Sequence, residues 1–372
     1  MSNLRHRGLF DRDQPYNELP DLPPLANLET IELLREVISA NKLLAELKGY
    51  CQTLPNPHLL LNTIVLQESK ESSAIENIVT TQDELYMATL NVVDQQGNAA
   101  AKEVIRYREA MYWGLEEMQK KDGLITVNLL VGVMQRLRGN TDGIRKNPGI
   151  KLANPTSKEV IYTPPEGEEL ILAKLASLER FINDDELSKL DPLVKMALIH
   201  YQVEAIHPFS DGNGRTGRIL NVIYLISKGL IGLPVLYLSY YIIANKPDYY
   251  RLLRQVTEEG KWNDWVEFIV RGVGETAELT LKKIDAILKL KKESEAGMQA
   301  ALKSSYTREL GDLLFSYPYI KIKVLEDNRI AQRQTASLYL QKLASSGFLT
   351  PMKVGKEIYY INHRLMSILA SK

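Results

Sequence analysis

His207-Pro208-Phe209-Ser210-Asp211-Gly212-Asn213-Gly214-Arg215-Thr216-Gly217-Arg218 is the stretch on which this chain of 372 residues turns. Residues 190–205 ahead of it and 215–227 behind it carry apolar side chains at helical spacing, so the string reads as a loop between two core helices. Pro208 stops the first helix, because it lacks an N–H and disfavours the helical conformation before it. The run Asp211-Gly212-Asn213-Gly214 then makes a tight turn that a glycine-rich chain follows most easily. A helix opening near Arg215 presents unpaired N–H groups and the positive end of its dipole, which together suit an anion such as a diphosphate. Arg215 and Arg218, three residues apart, share a helix face and match phosphate oxygens in bidentate geometry. Asp211 is a hard oxygen ligand of the kind that nucleotide-borne Mg²⁺ uses. His207, with an ordinary pKa near 6.5, is the natural general base. A plain connector with a capping Asp and a core His needs much less than this collection.

Working outward, residues 1–26 are rich in Pro, Asp and Asn and read as an extended arm wrapping the body. Ile31, Leu34, Val37, Ile38, Leu44 and Leu47 mark an apolar helical stripe. Further helices are expected from Pro57 to Ser69, from near Ser73, from near Thr81, and over 99–119, 166–183, 245–259 and 263–292. Between them, 148–165 holds a turn at Asn154-Pro155-Thr156-Ser157 and the β-favouring run Val160-Ile161-Tyr162, which predicts a hairpin. The segment 290–300, full of charged and small residues, reads as a helix end or a linker. Formal net charge is zero, which gives no argument for nucleic acid or a membrane surface on the chain as a whole. The most apolar stretch, 219–238, is interrupted by Asn221, Lys228, Gly229, Gly232 and Pro234 and is too broken to span a bilayer. The basic start Met1–Arg7 is followed by no apolar signal core. Cys51 is the single cysteine, so no internal disulfide is expected and a reducing, cytoplasmic setting fits.

The central string resembles, without mismatch, the signature of Fic-domain proteins, His-Pro-Phe-x-Asp-Gly-Asn-Gly-Arg-x-x-Arg, and the similarity extends over about residues 28–272. The resemblance implies a mainly α protein: a Fic-type helical bundle with a β-hairpin flap. It implies transfer of AMP from ATP to a Ser, Thr or Tyr hydroxyl of a target protein, or of the chain itself, with release of pyrophosphate. In that reading His207 deprotonates the hydroxyl and Asp211 holds Mg²⁺. Gly212, Asn213, Gly214, Arg215, Thr216, Gly217 and Arg218 hold the nucleotide, with Tyr249 against the base. Thr257 stands where some relatives carry a nucleotide-contacting Asn. Val160, Ile161, Tyr162 and Thr163 form a flap strand that docks the target by β-augmentation. The Doc branch, which phosphorylates, replaces residues at the end of the loop and so departs from this string; transfer of phosphocholine is left open by the loop.

Ser72-Ser73-Ala74-Ile75-Glu76-Asn77 matches the family's inhibitory pattern, Ser/Thr-x-x-x-Glu-Gly/Asn, in which Ser72, Glu76 and Asn77 form a brake and Glu76 pairs with Arg218. The alternative is a capping box, Ser73-x-x-Glu76, that merely starts a helix. Residues 302–372 carry eleven Lys or Arg against five Asp or Glu and resemble a small α+β winged helix, which brings DNA and a second copy of the chain into view as partners. The expected organisation is an N-terminal helical region over 1–95, a catalytic core over 96–285, a linker or helix end over 286–301, and the winged helix over 302–372. Two other functions stay open: a DNA-binding regulator with a nucleotide-sensing site, and an enzyme that removes AMP using Glu76.

Overall fold

The computed structural model describes residues 10–52, 54, 57–90, 99–153 and 157–371. The segment Met1–Arg7 and most of the expected turn, Asn154 to Thr156, lie outside these residues. The fold is mainly helical. In chain order come α1 (Ile31–Gln52), α2 (His58–Ile75), α3 (Gln82–Leu90), α4 (Ala99–Lys120) and α5 (Val127–Arg138). The flap strands β1 (Leu152–Ala153) and β2 (Val160–Tyr162) follow, then α6 (Glu168–Asn183), α7 (Pro192–Ile206), α8 (Asn213–Ser227), α9 (Leu238–Ala244), α10 (Lys246–Glu259) and α11 (Trp262–Leu302). The last elements are α12 (Arg308–Ser316), β3 (Tyr319–Ile320), α13 (Ile322–Asp327), α14 (Arg333–Ser345), β4 (Thr350–Val354), β5 (Glu357–Ile361) and α15 (His363–Ala370).

These elements form two compact units that do not follow the expected boundaries. One comprises residues up to 45, 106–232 and 238–275; the other comprises 46–105, 233–237 and 276–372. Of the two expectations for 286–301, a linker or a helix end, the second holds: the segment is the last part of α11, whose buried Leu290, Met298 and Leu302 continue an apolar face to the helix end.

In the first unit α7 is the central helix. Asp191 caps it through Leu193 N at 2.8 Å, and Pro192 occupies its first turn, where a missing N–H is harmless. Leu193, Met196, Ala197, Leu198, Ile199, Val203 and Ile206 are each fully buried, and α6 and α8 pack against the helix. The approach of α8 is close enough to require Gly217: a Cβ there would sit 3.3 Å from Glu204 Oε1 and 3.4 Å from His200 Nδ1. The arm from residue 10 onward does run along this unit. Tyr16 N–H donates to Thr163 O at 3.0 Å, Gln202 Nε2 donates to Pro20 O at 2.9 Å, and Lys174 pairs with Asp21 at 3.1 Å.

In the second unit α2 runs unbroken to Ile75, so the helix start expected near Ser73 does not exist. The C-terminal elements follow the order α12–β3–α13–α14–β4–β5, with antiparallel strands in the spatial order β3–β5–β4. Thr307 caps α12 through Leu310 N at 3.2 Å. The strand β3, the helix α13 and the closing helix α15 had no distinct signal in the sequence.

Candidate active site

His207 ends α7 in a left-handed conformation, φ +48°, with its N–H still bonded to Val203 O at 3.0 Å. A non-glycine residue in that region is uncommon, and such conformations persist only when surrounding bonds over-determine them. Here Arg145 supplies the bonds. Its Nε donates to His207 O at 2.8 Å, its Nη2 donates to Ile206 O at 3.4 Å and also to Pro165 O, and its own N–H donates to Pro208 O at 2.9 Å. The guanidinium is buried, and that desolvation lowers its pKa. One side chain therefore fixes both the residue expected to act as base and the strand end of the flap. No local pattern announces Arg145: it lies 62 residues before His207, and its partners are main-chain carbonyls.

The loop closes on itself through Asn213. Phe209 N–H donates to Asn213 Oδ1 at 2.9 Å, and Asn213 Nδ2 donates back to Phe209 O at 2.8 Å. The amide expected to touch nucleotide is thus committed to holding the loop. Gly212 takes φ +87° at the start of α8. The first helical bond, Thr216 N–H to Gly212 O at 2.9 Å, leaves the N–H groups of residues 213–215 ahead of it, in the position where a helix N-terminus receives anions. Arg215 and Arg218 are both buried at this end of α8, together with Thr216. Gly217 is the packing glycine described above, a role the motif alone does not reveal.

Asp211 is half exposed and pairs with Arg138 at 2.6 Å and with Arg215 at 3.7 Å. The pair with Arg138 is partly exposed and worth about 1 kcal/mol or less, so it would yield readily to a cation. Among the described residues no cluster of three metal-ligating side chains exists. A single accessible carboxylate fits the protein's share of a Mg²⁺ that arrives with phosphate oxygens, and does not fit a resident metal centre.

Beneath α8 lies His200, fully buried. Its ring stacks on Trp265 with centroids 5.9 Å apart, its Nε2 lies 2.9 Å from the Tyr249 hydroxyl, and its Nδ1 lies 3.2 Å from Asn221 Nδ2. Burial first, then the charge of Arg218, lowers its pKa to about 3, so this ring stays neutral near pH 7. Tyr249, expected against the base, is buried in that network; the neighbouring Tyr250, packed edge-on at 5.2 Å, is the ring that faces outward. Thr257 bonds the Tyr201 hydroxyl at 2.8 Å.

The flap pairs β1 with β2 in antiparallel register, Leu152 with Tyr162 and Ala153 with Val160. Its four expected docking residues divide. Tyr162 is buried and donates to Ala205 O at 2.8 Å, and Thr163 is buried and donates to Arg12 O at 2.6 Å. Val160 and Ile161 remain half-buried.

In the second unit the residues expected to form a brake take a defined shape at the end of α2. Asn77 N–H donates to Ala74 O and Ile78 N–H to Ser73 O, at 3.0 and 3.1 Å, and Asn77 adopts φ +62°. This is a Schellman closure, and it explains why the pattern ends in Gly or Asn: only such residues adopt the left-handed turn cheaply. Ser73 is not a helix cap, since its Oγ donates back to Ser69 O at 2.8 Å within the helix. The true capping box is Thr81 with Glu84, reciprocal at 2.9 and 3.2 Å, at the start of α3. Ser72 is fully buried and Glu76 half-buried.

Three family models match the chain: the Fic/DOC family N-terminal region over residues 34–116, the Fic/DOC family over 125–225, and the protein adenylyltransferase SoFic-like C-terminal domain over 290–365. The chain carries a Fic domain. Protein adenylyltransferase fic-1 of Caenorhabditis briggsae is 28% identical over 155 residues, 41% of this chain and 28% of that protein. Protein adenylyltransferase Fic of Drosophila melanogaster is 28% identical over 230 residues, 59% of this chain and 43% of that protein. The chain thus spans well under half the length of these curated relatives. A crystal structure of a Fic family protein from Desulfovibrio desulfuricans superposes with a TM-score of 0.56 at 19% identity, covering 91% of this chain and 98% of that one, which shows a shared fold.

Arg145→Met should destabilise the Fic unit by about 1–3 kcal/mol, because buried carbonyls lose their donor. Arg145→Lys, which can still reach one carbonyl, should recover part of that loss. Chemical denaturation of the three proteins measures this, and equal midpoints for all three would contradict the role assigned to Arg145.

Proposed function

We propose that the chain is a protein adenylyltransferase, and one arrangement supports this above all: an imidazole held at the end of α7 beside a helix N-terminus lined by two buried arginines. The amino end of α8, with Arg215 and Arg218, seats the polyphosphate of ATP. His207 takes the proton of a target Ser, Thr or Tyr hydroxyl as its oxygen attacks the α-phosphorus. The bond from that phosphorus to the α,β-bridging oxygen breaks, AMP stays on the target, and pyrophosphate leaves. Asp211 would hold Mg²⁺, which when bound supplies charge neutralisation on the departing pyrophosphate. Val160 and Ile161 offer the flap strand to the backbone of a target protein, and a second copy of this chain serves as the first target to examine. No helix among the described residues is long and apolar enough to cross a membrane. Cys51 is buried, and burial raises its thiol to about 11, which suits an inert core cysteine in a reducing cytoplasm.

The same reading makes Glu76 a brake. In the inhibitory pattern that residues 72–77 match, the glutamate carboxylate opposes productive binding of ATP. The capping-box alternative loses its basis, since Ser73 lies inside α2. In assays of labelled AMP incorporation, His207→Ala should lose on the order of 10²–10⁴ in rate, the usual worth of a positioned base. Glu76→Gly should raise incorporation strongly. Equal incorporation by Glu76→Gly and the unaltered chain would remove the brake, and release of AMP from a modified target by the unaltered chain would favour the reverse reaction.

A second reading, DNA contact by the C-terminal module, is favoured by the outward face of α14. Arg333, Gln334, Gln341 and Lys342 are exposed there, α14 carries no acidic residue, and Lys353 and Lys356 flank the turn between β4 and β5. Such a face should retard duplex DNA in a gel with steep salt dependence; mobility unchanged at low salt would count against it.

A further inference from the structure

The helix that carries the brake is a core element of the C-terminal unit. From Thr63 to Ile75, α2 is buried on every face except at Lys70, Glu71 and Ala74, which are half-buried. A helix covered all round has no free face on which to slide or rotate alone. What covers it comes largely from the far end of the sequence: α12 and α15 pack directly on α2, and β3 packs on α3.

The contacts converge on one side chain. The Tyr319 hydroxyl, on β3, donates to Asp83 Oδ1 at 2.6 Å in the first turn of α3. Its ring stacks on Tyr86 with centroids 5.9 Å apart and planes 13° from parallel. The Tyr86 hydroxyl in turn accepts from Gln67 Nε2 at 3.0 Å, and Gln67 sits on α2 nine residues before Glu76. A second tie reaches the same helix from the chain's end. Lys283 donates to Leu369 O at 2.9 Å and Ser371 O at 2.7 Å, its ammonium lies 5.8 Å from the Tyr237 ring, and the Tyr237 hydroxyl donates to Glu71 at 3.4 Å.

We infer that Tyr319 is a positioning residue for the brake: through Asp83, Tyr86 and Gln67 it holds α2 so that Glu76 leaves the helix end in its inhibitory direction. This rests on the reading of Glu76 as inhibitor. It follows that whatever loosens the C-terminal module from α3 releases the enzyme, so the module is where a relieving signal enters. Removing the stack and the hydroxyl together should shift the braked population by a factor on the order of 5–30, the effect of one or two lost contacts of this kind.

The test is a double-mutant cycle on the full chain, read as the initial rate of labelled AMP incorporation at one subsaturating concentration of Mg²⁺-ATP. Tyr319→Leu should raise incorporation on the order of 5–30-fold, and should add nothing further in the Glu76→Gly background. Tyr319→Phe and Asp83→Asn, which keep the ring stack, should give smaller rises that also vanish without Glu76; they carry the test if Tyr319→Leu does not fold. Dependence on Glu76 is the readout that general loosening of the fold would not give. If Glu76→Gly is activated while every Tyr319 and Asp83 variant stays at the basal rate, the brake stands and the coupling is wrong. If Tyr319→Leu activates equally with Glu76 already removed, it acts by another route and the inference fails. If Glu76→Gly is itself unchanged, the underlying reading of the brake fails and takes the coupling with it.

Discussion

A backbone carbonyl cluster held by a buried guanidinium is the constraint from which the site follows. At the end of α7 the chain must turn through a left-handed residue that is not glycine, His207, and it does so because Arg145 gathers the carbonyls of Ile206, His207 and Pro165. That turn aims the loop back so that α8 can begin only a few residues later, with Asn213 and Phe209 exchanging two hydrogen bonds across the bend. The proposed anion seat is therefore made by the backbone. Its arginines need only to be buried at the same end of α8, which the close packing of Gly217 on α7 ensures.

How much of this the sequence discloses depends on whether the cause is local. The loop, its flanking helices, the flap run and the positive C-terminal stretch are local patterns of spacing and chain conformation, and they were legible. The role of Arg145 was not, because a donor to distant main-chain carbonyls leaves no motif. Tyr249 and Tyr250 are adjacent aromatics on one helix, and only the position of His200, behind α8, settles which of them is buried. The charged and small residues of 286–301 left a linker and a helix end both open, and burial along one face makes them the end of α11. Ser73 and Glu76 have the spacing of a capping box, and so do Thr81 and Glu84. Burial of Ser73 within α2 decides between the two pairs, and burial is a tertiary property.

The division into two units gives this protein a physical organisation that its order along the chain conceals. The N-terminal helices α2 and α3 belong with the C-terminal module, while the loop and flap belong with the bundle around α7. A residue pattern that lies early in the sequence is thus packed by residues near its end, and the closure at Asn77 makes Glu76 the last fixed point of a helix with no free face. Glu76, at the end of such a helix, responds to the packing of a whole module, whereas a residue on a loop would respond mainly to its own fluctuations.

In the proposed reaction ATP seats its polyphosphate on the amino end of α8. A crystal structure with a non-hydrolysable ATP analogue, solved with the Glu76→Gly protein, tests it most directly. Phosphate oxygens are expected within hydrogen-bond distance of the main-chain N–H groups of residues 213–215 and of Arg215 and Arg218, with the His207 ring beside the α-phosphorus. A nucleotide bound elsewhere on the protein, with that end of α8 closed by side chains, would contradict it.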